Sequence, residues 1–452
     1  MWLLFGSALA ATITINPGDD WCGAINGAAA GDEIELVGGE HAGPCTIRTD
    51  DVTLIGDGAL PWIAYDGANS NVIDIEASGV TISGVKLGPT QPNIDAIKIK
   101  SGDDTHITGC WFDRVGGISI AANSATSTGT RIVGNHFTDL QATGIYLGCH
   151  DGTCRAADFV ISGNLIDGVV SSGVGYGMET KLNSWGVISD NVVNNTQGPA
   201  IEVYGSEGTT DWTVVEGNYT VGSTNDATIE IGGGPAIVRN NIVIGGNGGG
   251  IYAYDYGGRG LQREVQILGN SVIGMAGPAI GVASWAADRG LVLANNAAWQ
   301  ETGYGPALPA PIGGVDMVTN VACDADCWTD AANGDWNPMS LTAGTGGYDM
   351  TDDFCGVERY DPPIIGAIER DGPTSLPIDF KDTFGCSDGT GGTDTPSGDD
   401  DDDDVSGDDD DDGASASDEA NEGGGCRCAT GDSSGWIFLI GLLAAASSSR
   451  RR

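Results

Sequence analysis

One short phrase recurs at a nearly fixed spacing and limits the possible folds more than any other feature of the chain. It contains an apolar residue, a spacer, a small residue, Asn and an apolar residue, as in Ile161-Ser-Gly-Asn164-Leu. The recurring residues are Asn135, Asn164, Asn191, Asn218, Asn241, Asn270 and Asn296. Their spacings of 29, 27, 27, 23, 29 and 26 residues predict a repeat architecture, in which each unit buries its apolar face against its neighbours.

A second phrase lies between the Asn phrases and alternates apolar residues with others, as in Ala200-Ile-Glu-Val203 and Thr228-Ile-Glu-Ile231. This period of two is typical of β-strands. No helical periodicity is long enough for a crossover helix, so we expect parallel strands of successive coils to stack about 4.8 Å apart. The expected fold is all-β, a single-stranded parallel β-helix of about ten to twelve coils. The Asn amides should form one hydrogen-bonded column at a corner.

These motifs resemble the right-handed parallel β-helix superfamily, the pectate-lyase-like proteins, over about Ile13 to Glu369. Within that span we assign 12–300 to the β-helix, with a short amphipathic cap at Trp21–Gly31. The period fades after Asn296, so 301–386 is expected to be a C-terminal cap region that carries disulfides.

Several features of the sequence indicate export. Residues 1–11 are apolar, end in Ala8-Leu9-Ala10 and resemble a signal peptide. An apolar first strand is the alternative interpretation. The chain has 19 Lys and Arg against 63 Asp and Glu, and its net charge of -44 repels nucleic acids and anionic lipids.

Eleven Cys residues fit an oxidising compartment. Proximity along the chain favours the pairs Cys22–Cys45, Cys149–Cys154, Cys323–Cys327 and Cys355–Cys386. The remaining Cys110 occupies the Asn slot of another ladder phrase, Ile107-Thr-Gly-Cys110-Trp. We therefore expect it to be a buried free thiol and not a nucleophile.

The C-terminal region changes composition abruptly. Residues 387–425 are rich in Gly, Ser, Thr and Asp, and such repelling charge predicts a disordered acidic linker. Residues 426–452 contain a Cys motif, an apolar run and an Arg cluster, and they resemble the C-terminal sorting tags of myxobacteria. This resemblance implies display on the outer surface of a Gram-negative bacterium, attachment through Cys426 and membrane contact only through the tag.

The chemistry is expected on side chains that point out of the coils, because successive strand residues face opposite sides. The first outward column is predicted to read Lys98, Ser119, Tyr146, Glu179, Glu202, Glu230, Tyr252 and Gly281. The second is predicted to include Lys100, Lys181, Tyr204 and Tyr254. Being outward, these side chains are expected to be solvated and to contribute little to stability. Carboxylates beside Tyr faces are typical of a polysaccharide-binding groove, and an ordinary solvated strand surface is the competing interpretation.

Three hypotheses use this face. In the first, the resemblance to chondroitinase-like and alginate lyases implies Lys181 as base, Glu179 and Glu202 as Ca²⁺ ligands, and Arg259 or Arg263 as acid.

The second hypothesis is glycoside hydrolysis by paired Glu. The coil rise places Glu179 about 5 Å from Glu202 and about 9.6 Å from Glu230, which suits retention and borders on inversion respectively. Tyr146, Tyr204, Tyr252, Tyr254 and Arg259 would bind the sugar.

The third hypothesis is an adhesin or glycan-binding module without catalysis. Whichever hypothesis holds, we expect the protein to be a monomer. In all three the expected partner is a polysaccharide or a cell-surface glycan.

Overall fold

The computed structural model describes residues 10–171, 173–208, 210–301, 303–331 and 335–369. All of them belong to one compact unit. The expected signal peptide, the acidic linker, Cys386 and the sorting tag with Cys426 therefore lie wholly or almost wholly outside the described residues. No helix in the described ranges is both long and apolar enough to span a membrane.

Each coil contributes strands to up to three parallel sheets, which we name A, B and C in the order in which the chain enters them. Sheet A has 14 strands, sheet B has 12 and sheet C has 10 across the described residues. The expected parallel β-helix of ten to twelve coils is confirmed, with about 12 turns matching the strands of sheet B.

The bounds of the strands follow the chain in each sheet. Sheet A contains Thr12–Ile15, Glu33–Leu36, Thr53–Gly56, Thr81–Ser83, His106–Thr108, Ser127–Thr128, Arg131–Val133, Ala156–Ser162, Trp185–Ser189, Thr213–Glu216, Ala236–Arg239, Val265–Leu268, Val292–Ala294 and Asp316–Val318. Sheet B contains Glu40–Ala42, Trp62–Ala64, Lys86–Leu87, Trp111–Asp113, His136–Leu140, Leu165–Val169, Val192–Thr196, Tyr219–Ser223, Ile242–Gly246, Ser271–Met275, Ala297–Gln300 and Val321–Cys323. Sheet C contains Cys45–Ile47, Ile73–Glu76, Ile97–Ser101, Ile120–Ala122, Ile145–Leu147, Met178–Thr180, Ile201–Val203, Ala227–Ile231, Gly249–Ala253 and Ile280–Val282.

The core is the interior of the coil stack, where the inward residues of all three sheets meet. Columns of Ile and Val dominate it because β-branched side chains pack well on a pleated surface. The rings of Phe112 and Phe137 stack on each other in adjacent coils with centroids 4.7 Å apart. Large apolar residues therefore fill the same slot in successive coils, from Leu87 through the two Phe residues to Ile166.

The predicted Asn column is confirmed at the corner that leads into sheet B. The side-chain amide of each member donates to the carbonyl oxygen of the next Asn side chain, as from Asn191 to Asn218 at 2.9 Å and from Asn218 to Asn241 at 3.0 Å. The same amide also donates to a backbone carbonyl of the preceding coil, Ile188 in the case of Asn218. Every polar atom of this buried corner is thus bonded, which is what burial of an amide requires.

The small residue before each ladder Asn has a backbone explanation. Gly134, Gly163, Asp190 and Asn240 all have φ between 56° and 66°, in the left-handed region. Gly, Asn and Asp adopt this conformation at low cost. The turn geometry therefore selects the residue type that gives the phrase its recognisable form.

The ladder extends further than expected at its C-terminal end. Asn296 donates to Asn320 at 2.8 Å, and strands Asp316–Val318 and Val321–Cys323 add to sheets A and B. The solenoid therefore continues to Cys323, beyond the boundary at residue 300 that the fading period indicated. Asn320 follows Asn296 by 24 residues, within the range of the other spacings, but Thr319 stands where the earlier phrases have Gly, Asp or Asn before the ladder Asn.

At the other end of the column, Cys110 occupies the predicted Asn slot. Its backbone amide donates to the side-chain oxygen of Asn135 at 3.0 Å. The thiol is free and buried, and burial raises its pKa to about 12. A neutral, inaccessible thiol is not a nucleophile.

Both ends of the solenoid are covered. Helix Trp21–Gly27 lies over the first coils and buries Trp21 and Ile25. At the far end the antiparallel pair Trp328–Asp330 and Asp335–Pro338, the short 3₁₀ turn Ala325–Cys327 and the chain up to residue 369 pack against the outer face of sheet B. This segment buries apolar residues that would otherwise be exposed on the last coils.

Disulfides join Cys22 to Cys45, Cys149 to Cys154, and Cys323 to Cys327. Cys355 is also disulfide-bonded, and its expected partner Cys386 lies outside the described residues. Disulfides of this number fit a protein of an extracellular, oxidising environment.

The ladder predicts a large effect of a single amide. Asn218→Ala removes the donor to Ile188 and Asn241 and the acceptor of Asn191, and it interrupts the ladder at a fully buried position. We expect the free energy of unfolding to fall by about 3 kcal/mol. Guanidinium unfolding measures this change. Asn69→Ala, at an exposed Asn outside the ladder, is the control and should change stability by about 0.5 kcal/mol or less; an equal loss in both variants would contradict the role of the ladder.

Candidate functional site

The predicted first outward column exists on sheet C from Tyr146 onward. Strand pairing places Tyr146 beside Glu179, Glu179 beside Glu202, Glu202 beside Glu230, and Glu230 beside Tyr252. Three carboxyl groups therefore occupy consecutive coils, with an aromatic residue at each end.

One member of the predicted column is wrong. Ala121, and not Ser119, pairs with both Lys98 and Tyr146. The strand of this coil begins at Ile120, later than the phrase Gly117-Ile-Ser-Ile120 indicates. The pairing register differs from the predicted one by two residues. Side chains alternate with a period of two, so each residue keeps its inward or outward direction, and only the residue that occupies the column changes.

The expectation that these outward side chains are solvated is also wrong. Glu179, Lys181, Glu202 and Tyr204 are only 2%, 4%, 1% and 6% exposed. They point away from the coil interior but lie beneath other side chains and a loop. Their contribution to stability is therefore that of buried polar groups, for which every lost partner is costly.

The cover over this region is the loop that follows strand Gly249–Ala253. The carboxylate of Asp255 accepts hydrogen bonds from the backbone of Gly260 and Leu261 and so closes the loop. Leu261 and Tyr256 then pack against Tyr204, the two Tyr rings edge to face with centroids 4.5 Å apart. An apolar Leu and an aromatic residue in a long loop are the sequence signals for this cover.

Lys181 lies in a cage of aromatic rings. Its ammonium group is 3.9 Å from the ring centroid of Tyr204, 4.7 Å from that of Tyr146 and 5.7 Å from that of Tyr176. It also forms an ion pair with Glu179. Cation–π contacts of a desolvated ammonium are favourable, and the carboxylate neutralises its charge.

This arrangement does not suit the lyase hypothesis. Glu179 is neutralised by Lys181 and receives a further hydrogen bond from Thr143 at 3.4 Å. Lys181 is enclosed, so its amine does not reach the protons of a polymer at the surface. Burial raises the pKa of the Glu179 carboxyl group, and the charge of Lys181 opposes that shift.

Glu202 and Glu230 form a second, separate unit. Their carboxyl groups share a hydrogen bond, and the hydroxyl of Tyr254 donates to Glu202 at 3.0 Å. Burial raises the pKa of Glu202 well above its usual range, and the charge of Glu230 raises it further. Burial also raises the pKa of Glu230, while the hydrogen bond from Glu202 opposes this shift. Both shifts favour the protonated form of the pair over two ionised carboxylates side by side.

The hydrogen bond decides what this pair can do chemically. Glycoside hydrolysis needs two carboxyl groups on opposite sides of the scissile bond, at least about 5 Å apart. Glu202 and Glu230 are in direct contact, and Glu202 is buried behind its partner. Glu179, the member common to both pairs predicted from the coil rise, is bound to Lys181.

The residues also do not fit the expected Ca²⁺ site. A calcium ion takes six to eight oxygen ligands, most of them ionised or carbonyl oxygens. Glu179 is committed to Lys181, and burial raises the pKa of Glu202, which disfavours its ionised form. Within the described ranges no group of three or more His, Cys, Asp or Glu side chains is placed to hold a metal ion.

The two Arg residues that were predicted as candidates for the acid stabilise the covering loop instead. Arg259 pairs with Glu207 at 3.1 Å and lies over the ring of Tyr256 at 5.5 Å. Arg263 donates to the backbone carbonyl of Ser206 at 3.4 Å. Both tie the loop to the chain that follows strand Ile201–Val203, two coils earlier.

The accessible part of this face is a cleft of about 380 Å³ at its C-terminal end. The cleft is lined by Asn225, Asp226, Ala227, Glu230, Gly248, Gly249, Tyr252, Pro278 and Tyr304. Tyr304 is 65% exposed and Tyr252 is 36% exposed. Glu230 is the one member of the predicted Glu column that reaches this cleft, and we call it the Glu230 cleft.

Tyr176 and Tyr304 belong to this region but were not among the residues selected from the sequence. Each stands between two glycines, in Gly175-Tyr176-Gly177 and Gly303-Tyr304-Gly305. Burial raises the pKa of Tyr176 to about 12, and its hydroxyl lies 3.4 Å from that of Tyr204. An aromatic residue flanked by glycines outside the strand phrases is the signal that could have identified both.

A protein-family model described as right handed beta helix region matches residues 64–235 and 155–309. Together the two matches span more than half of the chain. The chain belongs to the right-handed β-helix family. No curated protein sequence matches it.

Solved structures of similar architecture include pectate lyase Pel9A, with 10% identity over 81% of this chain and 98% of that one and a TM-score of 0.47. The A-module of the mannuronan C-5 epimerase AlgE4 from Azotobacter vinelandii has 14% identity, covers 58% of this chain and 75% of its own, and gives a TM-score of 0.45. An alginate lyase from Paenibacillus sp. str. FPU-7 has 15% identity, 69% and 99% coverage and a TM-score of 0.38. Likenesses this distant carry no statement about the activity of this β-helix protein.

The raised pKa of Glu202 predicts how stability depends on pH. The folded state binds this proton more tightly than the unfolded state, whose Glu has a pKa of about 4.3. The stabilisation is complete below that pH and is lost as the pH rises through the folded pKa. In Glu202→Gln the amide replaces the proton as donor to Glu230, and Tyr254 keeps its acceptor. We therefore expect the variant to be more stable than the wild type at pH 8, by about 1 kcal/mol or more.

Urea unfolding from pH 4 to pH 9 measures this difference. The exposed Glu301→Gln provides the control and should follow the wild-type profile. A Glu202→Gln protein that is less stable than the wild type at pH 8 would show that the carboxylate is ionised in the folded state.

Proposed function

We propose that this β-helix protein binds a polysaccharide or cell-surface glycan at the Glu230 cleft without cleaving it. The observation that carries the proposal is the combination, in one surface cleft, of two exposed Tyr side chains with the carboxyl groups of Glu230 and Asp226. Flat aromatic rings pack against the apolar C–H faces of sugar rings. Carboxylates accept hydrogen bonds from sugar hydroxyls, and a concave apolar surface with a few polar groups is typical of a ligand site.

The charge of the cleft selects among polysaccharides. Its lining residues include two acids and no Lys, Arg or His. The lysines that point outward on the same sheet are paired, Lys98 with Asp95 and Lys100 with Asp74. A uronic-acid polymer would therefore meet negative potential without a compensating cation. Neutral polysaccharides and those with free amino groups fit this lining better.

Binding without turnover agrees with the state of the candidate catalytic groups. Lys181 and Glu179 neutralise each other beneath the surface. The carboxyl group of Glu202 is hydrogen-bonded to Glu230 and Tyr254. Of the three stacked Glu residues only Glu230 lines the cleft, so the Glu pairs predicted for glycoside hydrolysis do not meet there. These contacts support the glycan-binding alternative over the lyase and hydrolase hypotheses.

The two exposed Tyr side chains of the Glu230 cleft predict how mutation changes polysaccharide binding. Tyr252→Ala combined with Tyr304→Ala removes both rings from the Glu230 cleft and should weaken polysaccharide binding at least tenfold, because stacking area is lost. Affinity gel electrophoresis with galactomannan, hydroxyethyl cellulose and chitosan measures the change. Alginate and polygalacturonate are included as the anionic polymers that we expect not to bind.

Tyr360→Ala is the matched control, since Tyr360 is 58% exposed but lines a different cleft. It should bind as the wild type does. Release of new reducing ends or of unsaturated products would contradict binding without cleavage. Failure of the folded wild type to bind any of the five polymers, or equal binding by the double variant, would overturn the proposal.

We also propose that the protein is displayed on the outer cell surface through its C-terminal segment. The support is the order of Cys426, an apolar run and an Arg cluster at 426–452, preceded by the acidic stretch 387–425. Such a stretch would separate the binding domain from the membrane.

Replacement of Cys426 tests this display. Cys426→Ala should leave the β-helix folded but move the protein from the cell surface to the medium or the inner membrane. Surface labelling of intact cells measures the distribution, and Cys428→Ala provides a control for a neighbouring thiol. Unchanged surface labelling of Cys426→Ala would exclude attachment through this residue.

A further inference from the structure

A second cleft with similar chemistry lies on sheet B at the N-terminal end of the solenoid. Its volume is about 490 Å³. It is lined by Glu40, Ala42, Gly43, Trp62, Ala64, Tyr65, Asp66 and Pro89. We call it the Trp62 cleft.

Trp62 is held in a fixed position within this cleft. It points outward from its strand, because the next residue, Ile63, is fully buried in the core. Its indole nitrogen donates to the backbone carbonyl of Gly88 in the following coil at 2.7 Å. The polar atom of the ring is thus satisfied by the protein, and the half-buried ring remains as an apolar surface that lines the cleft.

The rest of the lining repeats the chemistry of the Glu230 cleft. Tyr65 supplies a second aromatic ring, and Glu40 and Asp66 are exposed carboxyl groups. Ala42 and Gly43 add no bulk, so the rings stay accessible. As in the Glu230 cleft, the lining residues include no Lys, Arg or His.

The described part of the chain covers the outer face of sheet B at one end only. The C-terminal segment packs over Val192, Ile242 and Ala297 in the later coils, with Trp328 and Trp336 among its buried residues. The outward column of those coils includes Val192, Tyr219 and Ile242, on which the segment packs. The corresponding positions of the early coils are Trp62, Lys86 and Trp111, which remain partly exposed. The same sheet therefore has a covered region in its later coils and an open region around Trp62.

We propose that the Trp62 cleft is a second sugar-binding site that takes the same class of ligand, a neutral or amino-sugar polysaccharide. The two clefts lie on different sheets and are separated along the solenoid by seven strand-to-strand steps in sheet C, from Ile73–Glu76 to Gly249–Ala253. At the coil rise this is roughly 34 Å.

A short oligosaccharide does not span that distance around two faces. The protein is therefore bivalent, and it holds two separate segments of one polymer or joins two polymer chains. Two weak sites that act on one long ligand bind it far more tightly than either alone.

The test counts bound oligosaccharides. Isothermal titration with cellohexaose, mannohexaose and the hexamer of glucosamine should give two molecules per wild-type chain for the hexasaccharide that binds. Trp62→Ala should leave one. Tyr252→Ala with Tyr304→Ala should also leave one, at the other cleft.

Trp111→Ala is the matched control. Trp111 lies on the same outer face two coils further on, and its indole nitrogen likewise donates to the next coil, at 2.8 Å to Thr138. It does not line the Trp62 cleft, so this variant should keep two sites. Ala42→Arg provides a second variant at an exposed position of the cleft, which blocks the site without removing the indole contact. It should also leave one site.

The outcomes separate the two proposals. One site in the wild type that survives both Trp62→Ala and Ala42→Arg overturns the second site and leaves the Glu230 cleft as the binding site. Equal loss in Trp111→Ala and Trp62→Ala would also overturn the assignment to this cleft. Loss of one site in Trp62→Ala, with no effect of the Tyr252 and Tyr304 changes, supports the Trp62 cleft and overturns the function proposed for the Glu230 cleft.

Discussion

The vertical register between coils is the constraint on which this protein depends. Parallel pairing in three sheets fixes each residue above its counterpart in the preceding coil, and the amide column from Asn135 to Asn320 holds the corner at the same spacing. A substitution at one position therefore changes the contacts of the residues at the same position in the preceding and the following coil. The same rule stacks Phe112 on Phe137 inside the coil and Glu179, Glu202 and Glu230 outside it.

Stacking of like charges creates the electrostatic problem that the site resolves. Glu179 is paired with the ammonium group of Lys181, and burial beside Glu230 raises the pKa of Glu202 and so favours its neutral form. The loop that carries Tyr256 and Leu261 then excludes water from this region. Glu230 alone keeps a path to the surface. The three stacked Glu residues, which the sequence alone predicts as one acidic face, therefore differ in their environment. The first two are buried with polar partners, and the carboxyl group of the third is accessible.

The fold could be predicted from the sequence because the spacing of the repeated phrases and the residue types within them both indicate parallel coils. The Asn phrases determine the corner, and the alternating phrases determine the strands, so the column from Tyr146 to Tyr252 could be predicted member by member. Burial of that column could not, because it depends on a loop distant in sequence whose path no periodicity describes. The ion pair of Lys181 and the contact between Glu202 and Glu230 are likewise products of side-chain directions, which strand spacing alone does not give. The final coil was missed for a simpler reason, since Thr319 replaces the Gly, Asp or Asn that precedes the ladder Asn in the earlier phrases.

The amide column also has a direction. Every side-chain amide donates toward the C-terminal neighbour, from Asn135 to Asn164 and onward to Asn320, so its bond dipoles are aligned along the whole solenoid. A partly formed stack consequently ends in a donor without an acceptor, and the next coil to arrive supplies that acceptor. For a chain that emerges N-terminus first, each completed turn is a template for its successor. Growth of the solenoid can then keep pace with the emergence of the polypeptide.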